Sequence, residues 1–280
     1  IKPYLNLSNT NRPGLDENTY KGNLDIYAGY FNTEINFGEK WLIVPGVRVE
    51  SFDQYIEYDV INLGVNGNDN ISASDVLFLP SLSLKYALND DQNLRFSASQ
   101  TISLPEFKEA APFVYESVSQ RIGGNPDLLG QKEGFDYTNV KDVSYSKILN
   151  LDLKYEWFIT RSELISIGAF YKQIEDPINQ VVAFDATGTQ RFFRTGEKAQ
   201  IFGIEAEIRK NIIVNEDEET ELSFGLNATY MHTEQDLYSD IVGSNFNVSF
   251  VKEKEELQGA SPFIANADIN YSPTSFANYK

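Results

Sequence analysis

The chain carries one histidine and no cysteine, so metal or nucleophilic chemistry would have to be built from carboxylates, lysines and hydroxyls. His232 is followed by Glu234 and Asp236, a conceivable ligand set. A lone imidazole without fixed ligand spacing is a weak metal signal, however, and an exposed loop near a strand end is the simpler reading. Paired carboxylates suit glycoside hydrolysis, and Asp152 and Glu156 are one such pair. Four positions apart on a strand, they stand roughly 13 Å from each other at about 3.3 Å per residue. That exceeds the roughly 5–9.5 Å such pairs need. The sequence offers no Gly-rich phosphate loop and no Ser/His/Asp set, and the absence of Cys removes thiolate nucleophiles and disulfides. No catalysis, cofactor or bound metal is expected. With 41 acidic against 23 basic residues and a net charge of −18, the chain also lacks the basic footprint that phosphate neutralisation requires, which excludes nucleic acid as a partner.

The remaining charges follow a period of two. In residues 147–157 the odd positions Leu149, Leu151, Leu153, Tyr155 and Trp157 are apolar, while Asn150, Asp152, Lys154 and Glu156 fill the even ones. Strand side chains alternate between faces, so this segment predicts a strand with one greasy and one charged face. After a turn at 159–162 the pattern returns in Ile165, Ile167, Ala169 and Tyr171. Each arm of this hairpin exceeds the five or six residues usual in globular strands and suits a tilted bilayer crossing of roughly 9–11 residues. Aromatics gather toward the arm ends at Trp157, Phe158, Phe170 and Tyr171, as they do at membrane interfaces.

The alternation recurs along the chain. It predicts strands at 1–7, 24–37, from Trp41 to about Glu50, 78–88, 94–99, 201–209, 222–230 and 263–271, with a strand extension at 246–250. A helix capped at Ser103–Glu106 is expected to run toward Ala111 and stop at Pro112. Polar loops are expected at about 57–74, 103–144, 176–197 and 233–259. Short turns follow Phe37, Leu88, Phe158 and Lys210, whereas the alternate connections are long, so the tight turns fall at one end of an up-and-down meander. Outer-membrane barrels have this asymmetry. The mean hydropathy of −0.35 is compatible with it, because half of each strand faces a polar lumen; no apolar run approaches the ~18 residues of a spanning helix.

Several ordered segments resemble the barrel of TonB-dependent outer-membrane receptors, especially those of Bacteroidetes. They are residues 94–113 (LRFSASQTISLPEFKEAAPF), 124–128 (GNPDL), 150–158 (NLDLKYEWF), 168–172 (GAFYK), 202–211 (FGIEAEIRKN), 227–230 (NATY) and 258–262 (QGASP). The resemblance implies a 22-stranded barrel closed by an N-terminal plug. It also implies import of a scarce nutrient such as a metal chelate, cobalamin or an oligosaccharide, energised by TonB. One departure is Leu104, where the family pattern usually has Arg, which puts any contact of that Arg in doubt. The expected fold is all-β, an antiparallel up-and-down transmembrane barrel of which about ten strands are present, with residues 1–280 one part of the barrel domain. Plug and closing C-terminal strands are expected elsewhere in a longer parent chain. Expected partners are outer-membrane lipid, that plug, TonB through the parent chain and, as an open question, a surface lipoprotein.

Two groups of residues are candidates for function. Arg95, Asp152, Lys154, Glu156, Glu205, Glu207 and Arg209 form a charged face that would point into the lumen and dock the plug; the alternative is generic wetting of the lumen wall. The loop bearing Pro105, Glu106, Phe107, Pro112, Phe113, Gly124, Asn125 and Pro126 would line the substrate path or act as a local cap. Other functional readings are a passive porin or structural outer-membrane barrel, and a soluble carbohydrate-binding β protein.

Overall fold

The computed structural model describes residues 19–60, 68–116, 120–130, 142–184, 188–215, 219–241 and 246–273. The expected strand at 1–7 lies outside them. The main sheet is antiparallel. In chain order its strands are β1 (Thr19–Asn32), β2 (Ile35–Phe37), β3 (Trp41–Asp59), β4 (Asn68–Ala87) and β5 (Gln92–Ser103). The connection after β5 carries α1 (Phe107–Ala110), β6 (Val114–Glu116) and β7 (Arg121–Gly123), and then the main sheet resumes with β8 (Ser146–Phe158) and β9 (Leu164–Glu175). After β10 (Ile178–Val182) and β11 (Gln190–Arg194) come β12 (Lys198–Val214), β13 (Thr220–Asp236), β14 (Asp240–Ile241), β15 (Val248–Ser249), β16 (Lys254–Glu255) and β17 (Phe263–Tyr271).

The 11-stranded sheet runs β1-β3-β4-β5-β8-β9-β12-β13. It resolves into nine staves, because β2 continues β1 along β3 and both β16 and β17 pair with β13. Among the described residues, β1 and β17 are paired on one side only, so the sheet is an open arc.

Register carries the apolar face across this arc. Ile35 faces Ile43, which faces Leu84, and the row continues through Phe96, Leu153, Ala169, Ile204, Tyr230 and Phe263. A slip of one residue in any pair would turn one stave's apolar set inward, so the greasy face itself fixes the register. Outward residues such as Phe31, Phe78, Leu153, Ile167, Phe202 and Tyr230 are exposed, the arrangement expected of a surface whose solvent is lipid.

Several elements differ from the sequence-based expectation, each for a local reason. The stave expected at 24–37 starts earlier, at Thr19, and is interrupted at residues 33–34. Thr33 lies opposite Pro45, and its amide donates to the Pro45 carbonyl at 3.2 Å, but proline has no N–H with which to return the bond. The loop expected at 57–74 shrinks because β3 and β4 reach 19 and 20 residues, about twice a bilayer crossing. Polar residues such as Asn70 and Ser72 suit the part of a strand that stands clear of lipid. β12 likewise continues past Lys210 to Val214, with register shifts between Asn211 and Val214. The helix is capped by Glu106 with Glu109, three residues beyond the expected box, because Ser103 still belongs to β5. Residues 246–250 do contain a strand, but β15 pairs with β14 in a separate two-stranded sheet.

Phe170 also departs from expectation. Rather than joining an interfacial aromatic belt, it shares the inner face with Gly203, and a Cβ added at Gly203 would lie 2.3 Å from its ring. The aromatic ring covers the backbone that glycine leaves bare. Phe170→Ala is expected to lower the stability of the barrel in detergent micelles by about 1 kcal/mol. Adding Gly203→Val should recover part of that loss, a coupling that a double-mutant cycle in urea would read.

Candidate functional site: a charged inner face under a folded roof

On the inner face the residues directly opposite one another include three cations in a row, Lys85, Arg95 and Lys154. Like charges so placed repel, and the next row supplies the compensation. Glu156 accepts from Arg95 Nε at 2.6 Å and lies 3.7 Å from Lys154 Nζ. Lys154 extends across β9, where Gly168 offers no side chain to block it, and comes within 3.8 Å of Glu207 on β12. Glu207 also pairs with Arg209 at 2.6 Å. Five of the seven expected face residues, Arg95, Glu156, Lys154, Glu207 and Arg209, therefore form one chain of ion pairs across four staves. Asp152 instead accepts a hydrogen bond from Ser97 at 3.3 Å, and Glu205 stands a row away between Gly168 and Thr229. Each pair is partly exposed and individually worth less than about 1 kcal/mol.

The connections at the opposite end from the tight turns fold over the inner face. Ile56 and Tyr58, on the inner side of β3, are buried against Ala110, Ala111 and Leu129, and the fully buried Gln54 donates from Nε2 to the Pro105 carbonyl at 2.9 Å. The loop motif residues hold this cap in place. Pro105 and Pro112 are buried, the Phe107 ring covers Gly22, and Phe113 stands 6.3 Å from Tyr20, ring centre to ring centre. Gly124 is required by space, since a Cβ there would fall 1.9 Å from the Ala111 carbonyl oxygen. Asn125 donates its amide to Glu109 O at 2.6 Å and accepts from the Asp127 amide at 3.1 Å, which starts the short 3-10 helix Pro126–Leu129. Glu106 is exposed and paired with Lys108 at 2.9 Å.

Two residues that sequence reasoning passed over tie this cap together. The segment 176–197, expected to be a loop, contains β10 and β11, and β11 pairs in parallel with β7 to give a four-stranded sheet ordered β10-β11-β7-β6. Arg191 and Arg194 on β11 are 4% and 3% exposed. Arg191 donates to the Gly124 carbonyl at 2.8 Å and stacks 3.7 Å over the Phe246 ring. Arg194 donates to Asp176 O at 2.9 Å, Leu128 O at 3.1 Å and Ser146 Oγ at 3.2 Å. Asp176 turns the chain with a φ of 53°, which aims its carbonyl inward at this cation. Gln190-Arg191-Phe192-Phe193-Arg194 has neither the alternation nor the length of a barrel stave, and this hid it.

Burial pushes the Arg194 guanidinium down to about 10, against the pull of Asp176, so it stays charged at neutral pH. Tyr238 lies beside the same cluster. Burial first, then the charges of Asp176 and Glu197, push its phenol up to about 12. His232 lies in β13 rather than in a loop, opposite Phe202. Its neighbours Glu234 and Asp236 pair with Lys254 at 2.6 and 3.8 Å.

Residues 2–279 match the family described as TonB dependent receptor-like, beta-barrel. The chain belongs to the TonB-dependent receptor β-barrel family. It is therefore an outer-membrane protein, in a family of transporters rather than enzymes. Solved receptors share the fold at low identity. The siderophore receptor PiuA from Acinetobacter baumannii superposes with a TM-score of 0.63 at 11% identity, over 90% of this chain and 32% of that one. The ferric yersiniabactin uptake receptor FyuA from Yersinia pestis gives 0.53 at 14%, over 90% and 32%. The copper transporter OprC gives 0.55 at 10%, over 89% and 39%. The chain thus spans about a third of the length of these receptors. Among curated proteins, none matches it in sequence.

In outer-membrane barrels the tight turns face the periplasm and the long connections the exterior; here the ion-pair chain lies at the tight-turn end of the sheet and the arginine-pinned sheet covers the other end. Arg194→Met takes the donor from the buried Leu128 carbonyl and leaves Asp176 O with Ser146 Oγ as its donor at 2.9 Å, and is expected to loosen the roof by about 3 kcal/mol. Limited proteolysis should then cut near residues 120–130 while the barrel staves stay protected. Alkali should act through Tyr238. The folded state holds that proton more tightly than the unfolded chain, so its contribution is complete below pH about 10 and is lost as pH rises through about 12. Tyr238→Phe should flatten that part of the pH profile of roof proteolysis.

Proposed function

We propose that this chain is an arc of the barrel of an energised outer-membrane importer for a scarce nutrient, of the kind of metal chelates, cobalamin or oligosaccharides, and that its inner-face charges dock a plug. The observation that carries this reading is the ion-pair chain Arg95–Glu156–Lys154–Glu207–Arg209. A lumen wall that needs only wetting is served by neutral amides and hydroxyls, such as those of Asn227 and Asn266 further along the same row. Here cations crowd three abreast, and carboxylates must be placed to hold them. Such a wall offers alternating charge at fixed depth to a complementary plug surface, while the roof above it restricts what enters. A 22-stranded closure, coupling to TonB and an origin in Bacteroidetes belong to the same reading, which the motif series from 94 to 262 supports.

The test uses the intact receptor in cells. Glu156→Gln together with Glu207→Gln should weaken plug retention, making the outer membrane permeable to antibiotics too large for ordinary porins and lowering nutrient uptake about tenfold, the effect of losing about 1.4 kcal/mol of docking free energy. Uptake that persists unchanged when TonB is deleted would replace the importer with a passive pore.

A further inference from the structure

β10 is the outer edge of the roof sheet, and its free edge is directed. The Ala183 amide donates to Thr189 O at 3.2 Å and the Thr195 amide to Pro177 O at 3.2 Å. In an antiparallel ladder bonded pairs alternate, so Asn179 and Val181 bond inward to Phe193 and Arg191, their register partners. The amides and carbonyls of Ile178, Gln180 and Val182 therefore point outward. Among the described residues no strand pairs with that edge. The outward amide that follows them, Phe184 N–H, is taken by Asn247 O at 2.8 Å, so the edge already accepts extended chain at one end.

Below that bond lies a cleft of about 410 Å³, lined on one side by Asn179, Gln180 and Val181 and also by Phe250, Val251 and Lys252. Its floor includes Gln235, which accepts from Asn179 at 2.7 Å and donates to Glu256 O at 3.1 Å, so the base is held rigid. Natural sheets blunt exposed edges with lysine, proline or inward charge. Ile178-Asn179-Gln180-Val181-Val182 has none of these, and Val182 and Phe184 are 57% and 70% exposed. An unprotected edge beside an apolar cleft is the arrangement with which proteins bind extended peptides, backbone bonds giving affinity and alternate side chains entering the cleft.

We propose that the outer edge of β10 is a binding site for an extended peptide backbone, which adds as a further strand between β10 and the segment around Phe250. The site rests on the importer reading for its purpose, the capture of peptide-containing nutrient, but not for its chemistry.

The intact receptor in detergent micelles would be titrated with a fluorescein-labelled nonapeptide of alternating valine and threonine, blocked at both ends, and binding followed by anisotropy. Gln180→Pro removes one outward amide and leaves the inward bonds of Asn179 and Val181 in place; it should weaken binding at least about tenfold, a loss of about 1.4 kcal/mol. Gln180→Ala removes the same side chain from the cleft wall but keeps the amide, and should weaken binding less than Gln180→Pro does. The same peptide with every backbone nitrogen methylated should not bind. Equal binding of the methylated peptide, indifference to Gln180→Pro in a receptor whose roof remains protease-resistant, or no binding at about millimolar peptide would each overturn the site. Uptake in cells separates the two readings: peptide binding with TonB-independent uptake would sink the importer alone, and TonB-dependent uptake without peptide binding would sink the edge site alone.

Discussion

Hydrocarbon offers no water to a backbone amide, so a strand can lie in it only where neighbours take the hydrogen bonds along both edges. The rest of this structure depends on that pairing. The interior ladders are continuous over most of each stave, with an interruption where Pro45 has no hydrogen to give and register shifts near the tight-turn end of β12. Because pairing fixes position along every strand, it also fixes which residues meet across strands. The charged rows of the inner face are thus a product of the same register that assembles the apolar face. The outer edges of β1 and β17, each with one partner strand among the described residues, are subject to the same constraint.

Above the bilayer the constraint changes. Outside the short ladders of β6, β7, β10 and β11, the roof meets the needs of its loop backbone with side chains. Arg191 and Arg194 supply donors to the Gly124 and Leu128 carbonyls, and Arg194 joins Ser146 Oγ in donating to the Asp176 carbonyl. Burying a guanidinium is costly, and the depressed affinity of Arg194 for its proton records that cost. Several fixed carbonyl dipoles and the Phe246 ring offset it. The result joins the β5–β8, β9–β12 and β13–β17 connections into one packed body rather than three separate loops.

The staves were legible because period-two alternation is strong wherever one face meets lipid. Leu149 to Trp157, Phe202 to Ile208 and Phe263 to Tyr271 each announce a strand and its inward set, and so the charged face was assigned residue by residue. The paired geometry was not, since ion pairs run between strands whose register no single segment encodes. Strand lengths were underestimated at 57–74 because alternation fades once neither face meets lipid. The small strands β6, β7, β10 and β11 carry no usable period over three to five residues, and the roles of Arg191 and Arg194 come from contacts 48 to 67 positions away. The GNPDL motif was visible as a resemblance, but its reason, a backbone approach at Gly124 that leaves no room for a Cβ, is visible only in three dimensions.

The absent side chain at Gly168 has a mechanical consequence. Lys154 passes over a whole stave there, so the ion pairs run across the arc from β5 to β12 while the backbone bonds already prevent strands from sliding past one another. An arc braced in this way resists changes of curvature: any flattening of it must lengthen several charge contacts together.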